Sequence, residues 1–219
     1  MSKRTGNGVM IGIITAGSLQ THCVQSLLKV VEAKAAEEIV IRTCGPYLDM
    51  GRNNMVEIFR NEYPHCDRLL FVDSDIGFTP EHVQQLVDDD LPIVAGVYHS
   101  LYETGIHPIV HQWVEEGGRM RLPLMKKWNR PEDEHLVPVD GVGAGFLMIH
   151  RSVVDKFAAI YGPPQIWFGI DHRAGVELGE DLTFCVRAND LGIPVVVDRR
   201  VQVAHQKSLV LQGPYNEQP

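Results

Sequence analysis

The chain has 219 residues, of which 44% are hydrophobic and 22% charged, and its formal net charge is −8. This length suits one sizeable core, and the acidic balance argues against a broad basic surface for a nucleic-acid backbone. The cysteines form no CxxC pair, so they do not indicate a zinc site and are expected to be reduced core thiols. No segment has the pattern of a signal peptide or a membrane span, and we therefore expect a soluble cytoplasmic protein without an anchor.

The first half of the chain alternates short apolar runs with amphipathic segments. Strands are predicted at 9–15, 39–41, 69–72 and 92–97. The helices predicted between them comprise one capped by Ser18, one over 51–60 and one opened by Thr79 and Pro80. Strands that alternate with helices favour a mostly parallel sheet covered on both faces, in which ligands bind at the carboxyl ends of the strands.

The alternation stops after Val97. Residues 99–138 are polar and are expected to form an insert of short antiparallel strands or a long loop that shapes a binding site. Regular order then returns, with strands predicted at 145–149 and 194–197 and helices from Arg151 and over 180–191. We expect a single domain over 1–207 and a flexible tail over 208–219.

Two carboxylates end the third predicted strand. Asp73 and Asp75 are one residue apart, so extended backbone would point both side chains the same way. Neighbouring anions repel unless a cation lies between them, and oxygen ligands suit Mg²⁺ or Mn²⁺, ions that commonly hold substrate phosphates. The pattern favours a metal-bound diphosphate site, although a turn capped by aspartates would have the same sequence.

Three further features follow along the chain. A glycine-rich turn at 143–145 would let backbone approach a ligand closely, and a tight turn before a strand explains it equally well. Glu180 and Asp181 occupy the first turn of a predicted helix, where the helix dipole alone would favour acids. His205 follows a β-type alternation, and a lone histidine is commonly structural.

Taken in order, these motifs resemble those of a GT-A fold glycosyltransferase. The motifs are the Asp-x-Asp at 73–75, the run Val139-Asp140-Gly141-Val142-Gly143-Ala144-Gly145-Phe146, Gly-Glu-Asp at 179–181 and Val-Ala-His at 203–205. The chain is most similar to the small, single-domain, family-2-like enzymes found in bacteriophage and bacteria, over residues 9–205. The resemblance implies an open, Rossmann-like, mostly parallel α/β sheet flanked by helices.

The resemblance also implies an activity and its partners. The enzyme would move a sugar from a nucleotide-diphosphate sugar, with UDP favoured, to a hydroxyl group. The acceptor would be a protein, a glycan, a small molecule or a modified base, with 99–138 on the acceptor side. No membrane partner is implied, and binding to nucleic acid through charge has little support. The Gln-x-x-Arg-Trp motif is missing, which argues against a processive polysaccharide synthase.

Roles for single residues follow from the resemblance. Asp73, Asp75 and His205 would form the metal site: Asp75 would ligate Mn²⁺ or Mg²⁺, His205 would complete the site, and Asp73 would contact the ribose or the metal-bound waters. Asp181 would be the general base of an inverting enzyme, and Glu180 would be its catalytic neighbour, orienting the acceptor.

A second set of residues is implied to hold the nucleotide or the donor sugar. It comprises the end of the first strand, a predicted helix start and two turns: Thr15, Ala16, Gly17, Arg52, Asn53, Asp73, Ser74, Gly143 and Ala144. In this set Arg52 would offset the diphosphate charge or contact the base.

Three other functions share parts of the pattern. A haloacid-dehalogenase-like phosphatase also has a strand-end Asp-x-Asp, but near its N-terminus. A nucleotidyltransferase shares the nucleotide-binding half, but its loop after the first strand carries a basic residue, which 16–20 lack. A non-catalytic nucleotide-sugar-binding module would retain donor binding without turnover.

Overall fold

The computed structural model of the protein describes residues 8–125, 131, 133–163 and 166–207. The expected tail over 208–219 and positions 126–130 and 132 of the expected insert lie outside the described residues. The described part of the chain contains the helices α1 (Thr21–Ala33), α2 (Leu48–Glu62), α3 (Pro80–Asp88), α4 (Arg151–Ile160) and α5 (Glu180–Asp190).

The strands are, in chain order, β1 (Val9–Thr15), β2 (Glu38–Thr43), β3 (Arg68–Asp73), β4 (Ile76–Gly77), β5 (Ile93–Val97), β6 (His99–Tyr102), β7 (Gly105–Pro108), β8 (Val110–His111), β9 (Val114–Glu116), β10 (Arg119–Arg121), β11 (Leu136–Val139), β12 (Gly141–Val142), β13 (Phe146–His150), β14 (Asp171–Arg173), β15 (Val176–Leu178), β16 (Val195–Gln202) and β17 (Ala204–His205). Seven of them form one sheet in the order β11-β16-β5-β13-β3-β1-β2.

The sheet is mostly parallel, which confirms the predicted α/β fold class. Strands β2, β1 and β3 pair in parallel, as do β5 and β16. Strand β13 lies between β3 and β5 and runs antiparallel to both, and β11 is an antiparallel edge. The carboxyl ends of β1 and β3 therefore lie side by side, and Thr15 and Asp73 share one edge of the sheet.

Each face of the sheet packs against its own layer of helices. Along β3, Leu69 and Phe71 point to a core shared with α2, α4 and α5, whereas Leu70 and Val72 point to a core shared with α1 and α3. This alternation is the two-residue period of a strand buried on both sides. All four side chains are buried, and each contributes about 1.5–3 kcal/mol of hydrophobic stabilisation.

Two helix starts differ from the predicted ones. Helix α1 begins at Thr21, with Gln20 at the N-cap position, so Ser18 is not its cap and the prediction was wrong. Instead, the Ser18 carbonyl accepts a hydrogen bond from Thr15 Oγ1 at 2.7 Å. Helix α2 begins at Leu48, almost one turn before the predicted start. The predicted start of α3 is confirmed, because Thr79 and His82 form a capping box.

The described residues of the expected insert form short antiparallel strands, which is one of the two forms expected. Strands β6 and β7 make one hairpin, and β9 and β10 make another. From Leu136 onwards the chain belongs instead to β11 of the central sheet, so the irregular region ends before residue 138. None of the helices in the described residues is long and apolar enough to cross a bilayer.

Candidate functional site

The two aspartates of the Asp-x-Asp motif have different partners. Strand β3 ends at Asp73, and the chain then turns through Ser74 and Asp75 into β4. The extended geometry that would align both carboxylates therefore does not persist. Asp73 Oδ1 accepts a hydrogen bond from Arg52 Nη2 at 3.1 Å, whereas Asp75 Oδ2 lies 3.2 Å from His205 Nε2.

His205 is held with one ring nitrogen aimed at Asp75. It lies on β17, which pairs with β4. Its Nδ1 lies 2.8 Å from the carbonyl oxygen of His99, and because a carbonyl can only accept, Nδ1 must carry a proton. In the neutral ring, Nε2 would then present a lone pair to the Asp75 carboxylate. A proton or a metal ion between the two groups would turn this repulsive contact into an attractive one.

The spacing of Asp75 and His205 fits a divalent metal. Bonds of about 2.1 Å to two adjacent octahedral ligands place the ligand atoms about 3.0 Å apart, close to the 3.2 Å between Asp75 Oδ2 and His205 Nε2. The carbonyl that orients His205 is the type of partner that metal-ligating histidines use. Asp73 is not part of this pair: in the described residues, the ligand atoms of Asp73, Asp75 and His205 do not all lie within 4.8 Å of one another.

A lysine that the sequence analysis did not select also contacts Asp75. Lys207 Nζ donates to Asp75 Oδ2 at 2.8 Å, and the lysine side chain is half exposed. Burial alone would raise the pKa of Asp75, but the hydrogen bonds from His205 and Lys207 outweigh it and lower the pKa to about 2. Asp75 is therefore ionised at neutral pH and attracts cations.

Arg52 is buried and contacts two of the acidic residues, Asp73 and Glu180. Its side chain is only 4% exposed, and Nε lies 3.4 Å from Glu180 Oε1 while Nη1 lies 3.4 Å from the carbonyl oxygen of Ala144. The guanidinium also donates to Asp73. Burial opposes the charge on Arg52, but the surrounding carboxylates outweigh burial and raise its pKa. Arg52 thus joins the end of β3, the turn before β13 and the start of α5.

Asp181 has an environment that suits a base near neutral pH. Burial raises the pKa of Asp181, the neighbouring Glu180 raises it further, and Arg52 opposes them, leaving a value of about 6. Asp73 also raises the pKa of Asp181, which shows that the end of β3 and the start of α5 interact electrostatically. Two acids with unequal environments are typical of sites that separate general-base and binding roles.

A cavity of about 310 Å³ adjoins Asp75. It is lined by residues after β1 and β3, namely Thr15, Ala16, Gly17, Ser18, Gln20, Ser74 and Asp75. Four predicted donor-binding residues, Thr15, Ala16, Gly17 and Ser74, are therefore brought together beside Asp75. The volume is at the lower end of the range for small-molecule sites.

The glycine-rich turn is packed against Tyr98. A Cβ on Gly143 would lie 2.1 Å from Tyr98 Oη, and one on Gly145 would lie 3.0 Å from both Tyr98 Oη and Asp73 Oδ2. The backbone N–H of Gly145 donates to Tyr98 Oη at 3.3 Å. Close packing therefore requires both glycines, and Ala144 between them is buried. A donor contact by Gly143 or Ala144 stays a prediction.

Asn53 is used inside the protein. Its Nδ2 donates to the carbonyls of Asp49 and Phe168, and its Oδ1 accepts from the backbone N–H groups of Trp167 and Phe168. Asn53 is buried and does not line the cavity beside Asp75. The structure thus places Asn53 apart from the four predicted donor-binding residues that line the cavity, and it anchors the backbone at Trp167 and Phe168.

No protein-family model matches the chain, and no curated protein sequence matches it significantly. Solved structures do match. The chain superposes on A197 from STIV with a TM-score of 0.55 and 18% identity, over 95% of this chain and 99% of that one. It superposes on GalNAc-T7, in a crystal structure with UDP, GalNAc and Mn²⁺, with a TM-score of 0.59 and 12% identity, over 90% of this chain and 43% of that one. The fold is GT-A-like.

Identities this low show the GT-A-like fold alone. The chain spans less than half the length of the GalNAc-T7 chain. It also superposes on the inositol-1-phosphate CTP transferase from T. maritima, with a TM-score of 0.48 and 11% identity, over 91% of this chain and 89% of that one. The superpositions identify no donor, metal or acceptor for this chain.

Proposed function

We propose that this protein is a metal-dependent glycosyltransferase that moves a sugar from a nucleotide-diphosphate sugar, with UDP favoured, to a hydroxyl acceptor with inversion. The observation that carries the proposal is the pair of Asp75 and His205, which face each other at metal-ligand spacing beside the cavity at the ends of β1 and β3. This is the edge at which α/β sheets bind their ligands.

The nucleotide would lie in the cavity beside Asp75, against Thr15, Ala16, Gly17 and Ser74. Asp75 and His205 would hold Mn²⁺ or Mg²⁺, which when bound stabilises the negative charge that grows on the leaving diphosphate. Lys207 would move from Asp75 to a phosphate oxygen, because a half-exposed ammonium on a flexible stem can follow the negative charge.

Asp181 would serve as the general base. The acceptor oxygen attacks the anomeric carbon of the donor and its proton passes to Asp181, while the bond from the sugar to the diphosphate breaks and its electrons leave with the diphosphate. Attack from the face opposite the leaving group inverts the configuration. Glu180, whose carboxylate is paired with Arg52, would orient the acceptor.

Thermal unfolding against a panel of nucleotide sugars, each with Mn²⁺ or with a chelator, tests the donor and the metal together. We expect one nucleotide sugar to raise the melting temperature only when Mn²⁺ is present, because a ligand that binds only the native state stabilises it by mass action. A shift with a nucleoside triphosphate but no nucleotide sugar would favour a nucleotidyltransferase instead.

Variants test which residues the Mn²⁺-dependent shift in melting temperature depends on. Asp75→Ala and His205→Ala should each remove the Mn²⁺-dependent part of the shift. His172→Ala is the matched control, because His172 also lies 3.3 Å from a carboxylate, that of Glu177, but on an exposed hairpin. If both site variants respond to donor and Mn²⁺ as the control does, the metal assignment is wrong.

The pH dependence of transfer tests the base. Asp181 must be deprotonated to accept a proton, so the rate is expected to rise as the pH increases through about 6 and to level off above it. Below that value the rate should fall about tenfold per pH unit. Initial rates at saturating donor and acceptor between pH 4.5 and about 8.5 would check this, with stability measured over the same range. A rate that stays constant from pH 5 to about 7 would contradict the assignment.

A further inference from the structure

We infer that Glu37, His65 and Cys66 form a zinc site at the amino-terminal edge of the sheet, with the Glu38 carboxylate beside His65. Glu37 and Glu38 lie at the start of β2, and His65 and Cys66 come just before β3. Ligand atoms of Glu37, His65 and Cys66 all lie within 4.8 Å of one another. No CxxC pair is involved, which is why the spacing of the cysteines in the sequence does not indicate this site.

The ligand atoms would have to draw together to hold a tetrahedral ion. Cys66 Sγ lies 3.8 Å from Glu37 Oε2, and His65 Nε2 lies 3.3 Å from Glu38 Oε1. With Zn–S bonds of about 2.3 Å and Zn–O or Zn–N bonds of about 2.0 Å, the edges of a tetrahedral site are about 3.3–3.5 Å long. A shift of a few tenths of an ångström brings the Cys66–Glu37 edge to that length, and the other edges among Glu37, His65 and Cys66 are at most 4.8 Å.

The backbone that carries these side chains is fixed. The N–H of Glu37 donates to the Val9 carbonyl at 2.9 Å, and the N–H of Cys66 donates to the Tyr63 carbonyl at 3.1 Å. The carbonyl of Cys66 accepts from Arg151 Nε at 2.9 Å. A site whose ligands are already held in place loses little conformational entropy when an ion binds.

The negative charge of the cluster and the types of its ligand atoms favour Zn²⁺. Within the described residues, no lysine or arginine lies within 4.0 Å of the carboxylates of Glu37 or Glu38. The Glu37 carboxylate and a Cys66 thiol that loses its proton to solvent on binding would supply two negative charges, and the Glu38 carboxylate lies close by. A thiolate, an imidazole and carboxylates together match Zn²⁺, whereas Mn²⁺ and Mg²⁺ prefer oxygen.

The proposed ion would join two strands that are not neighbours. Strands β2 and β3 lie on either side of β1, so the site spans the start of β1 and ties this edge of the sheet together. The carboxyl ends of these strands, with Asp73 and the nucleotide cavity, lie about 20 Å away. The zinc site is therefore separate from the proposed catalytic metal and does not rest on the proposed function.

Cobalt(II) in place of zinc tests the site in the intact, chelator-treated protein. A thiolate ligand gives Co²⁺ a sulfur-to-metal charge-transfer absorption, which an all-oxygen or histidine–carboxylate site cannot give. We expect this absorption to saturate at one equivalent of Co²⁺ and to disappear when Zn²⁺ is added. Zn²⁺ alone should raise the melting temperature of the wild-type protein.

The variants identify the ligands. Cys66→Ser should abolish the charge-transfer absorption, whereas Cys44→Ser, at a partly exposed thiol elsewhere, should keep it. Because Cys66 is buried and its replacement can unfold the protein, His65→Ala on the surface is the second test, and it should weaken Zn²⁺ binding at least tenfold. His172→Ala, from an exposed His–Glu pair without a thiol, is its control.

Three results would overturn the inference. The first is no charge-transfer absorption in the wild-type protein. The second is absorption that persists in folded Cys66→Ser, which would point to another thiol such as Cys23. The third is unchanged Zn²⁺ affinity in His65→Ala. Asp75→Ala should bind Zn²⁺ here as the wild type does, so failure of the catalytic metal site and failure of this site are distinguishable.

Discussion

The Asp181→Asn variant is expected to transfer sugar roughly a hundred- to ten-thousand-fold more slowly than the wild type and to bind the donor normally. Asparagine keeps the size of the side chain and the oxygen that accepts the N–H of Leu182 at 2.7 Å. It removes only the capacity to take a proton. The loss should therefore appear in kcat rather than in donor affinity.

The same substitution should not destabilise the fold. The pKa of Asp181 is raised to about 6 by burial and by Glu180, so its ionised form is less favourable in the folded than in the unfolded protein. For a carboxyl group with a raised pKa, the stability present at low pH is lost as the pH rises through about 6. At pH 7.5 a neutral asparagine avoids that loss, and the variant is expected to be at least as stable as the wild type.

Three measurements separate catalysis from folding and binding. Single-turnover transfer measures the chemical step, the donor-dependent thermal shift measures binding, and urea unfolding measures stability. Asp155→Asn, an exposed acid on α4, is the control and should keep full activity. Full transfer by Asp181→Asn would exclude Asp181 as the base. If the protein were instead a non-catalytic binding module, the wild type would also bind the donor without turnover.

The elements best predicted from the sequence are those whose signals are local. The short apolar runs at 9–15 and 69–72 favour buried strands, and both are strands in the structure. The Thr-Pro pair that opens α3 has its own capping geometry. The order of the remaining motifs resembles that of GT-A enzymes and therefore predicted a GT-A-like fold. The sheet topology agrees with that prediction.

What the sequence analysis missed depends on contacts between distant parts of the chain. The antiparallel insertion of β13 between β3 and β5 is set by pairing over many residues, and no local pattern encodes it. Lys207 has no motif of its own and gains significance only from its contact with Asp75. Arg52 was predicted near the start of its helix, but α2 begins at Leu48, and residue 52, about one turn later, is buried.

Replacing Arg52 with methionine is expected to lower the free energy of unfolding by about 3 kcal/mol. Breaking a buried ion pair typically costs about 3–5 kcal/mol. We expect the lower end of that range because the partners of Arg52 keep some contact with water. The side chains of Asp73 and Glu180 are 33% and 20% exposed. Methionine keeps the apolar contact with the rings of Phe71 and Phe168 but leaves both carboxylates and the Ala144 carbonyl without their donor.

An arginine on the same helix supplies the matched control. Arg60 pairs with Asp155 at 3.1 Å, but both side chains are substantially exposed, so Arg60→Met should cost no more than about 1 kcal/mol. Urea unfolding with an unchanged m value measures both costs. Equal stability of the two variants would show that Arg52 is not a structural centre of the site.

Arg52 also has an electrostatic role that its stability cost does not measure. Because Arg52 lowers the pKa of Asp181, its removal should move the acid limb of the pH–rate profile to higher pH. A side chain that acted only through packing would change stability without moving that limb. A double-mutant cycle of Arg52→Met with Glu180→Gln should give a coupling energy of about 0.5–3 kcal/mol. Both results together would show that one buried cation holds the acids of the site in place and keeps the proposed base ionised near neutral pH.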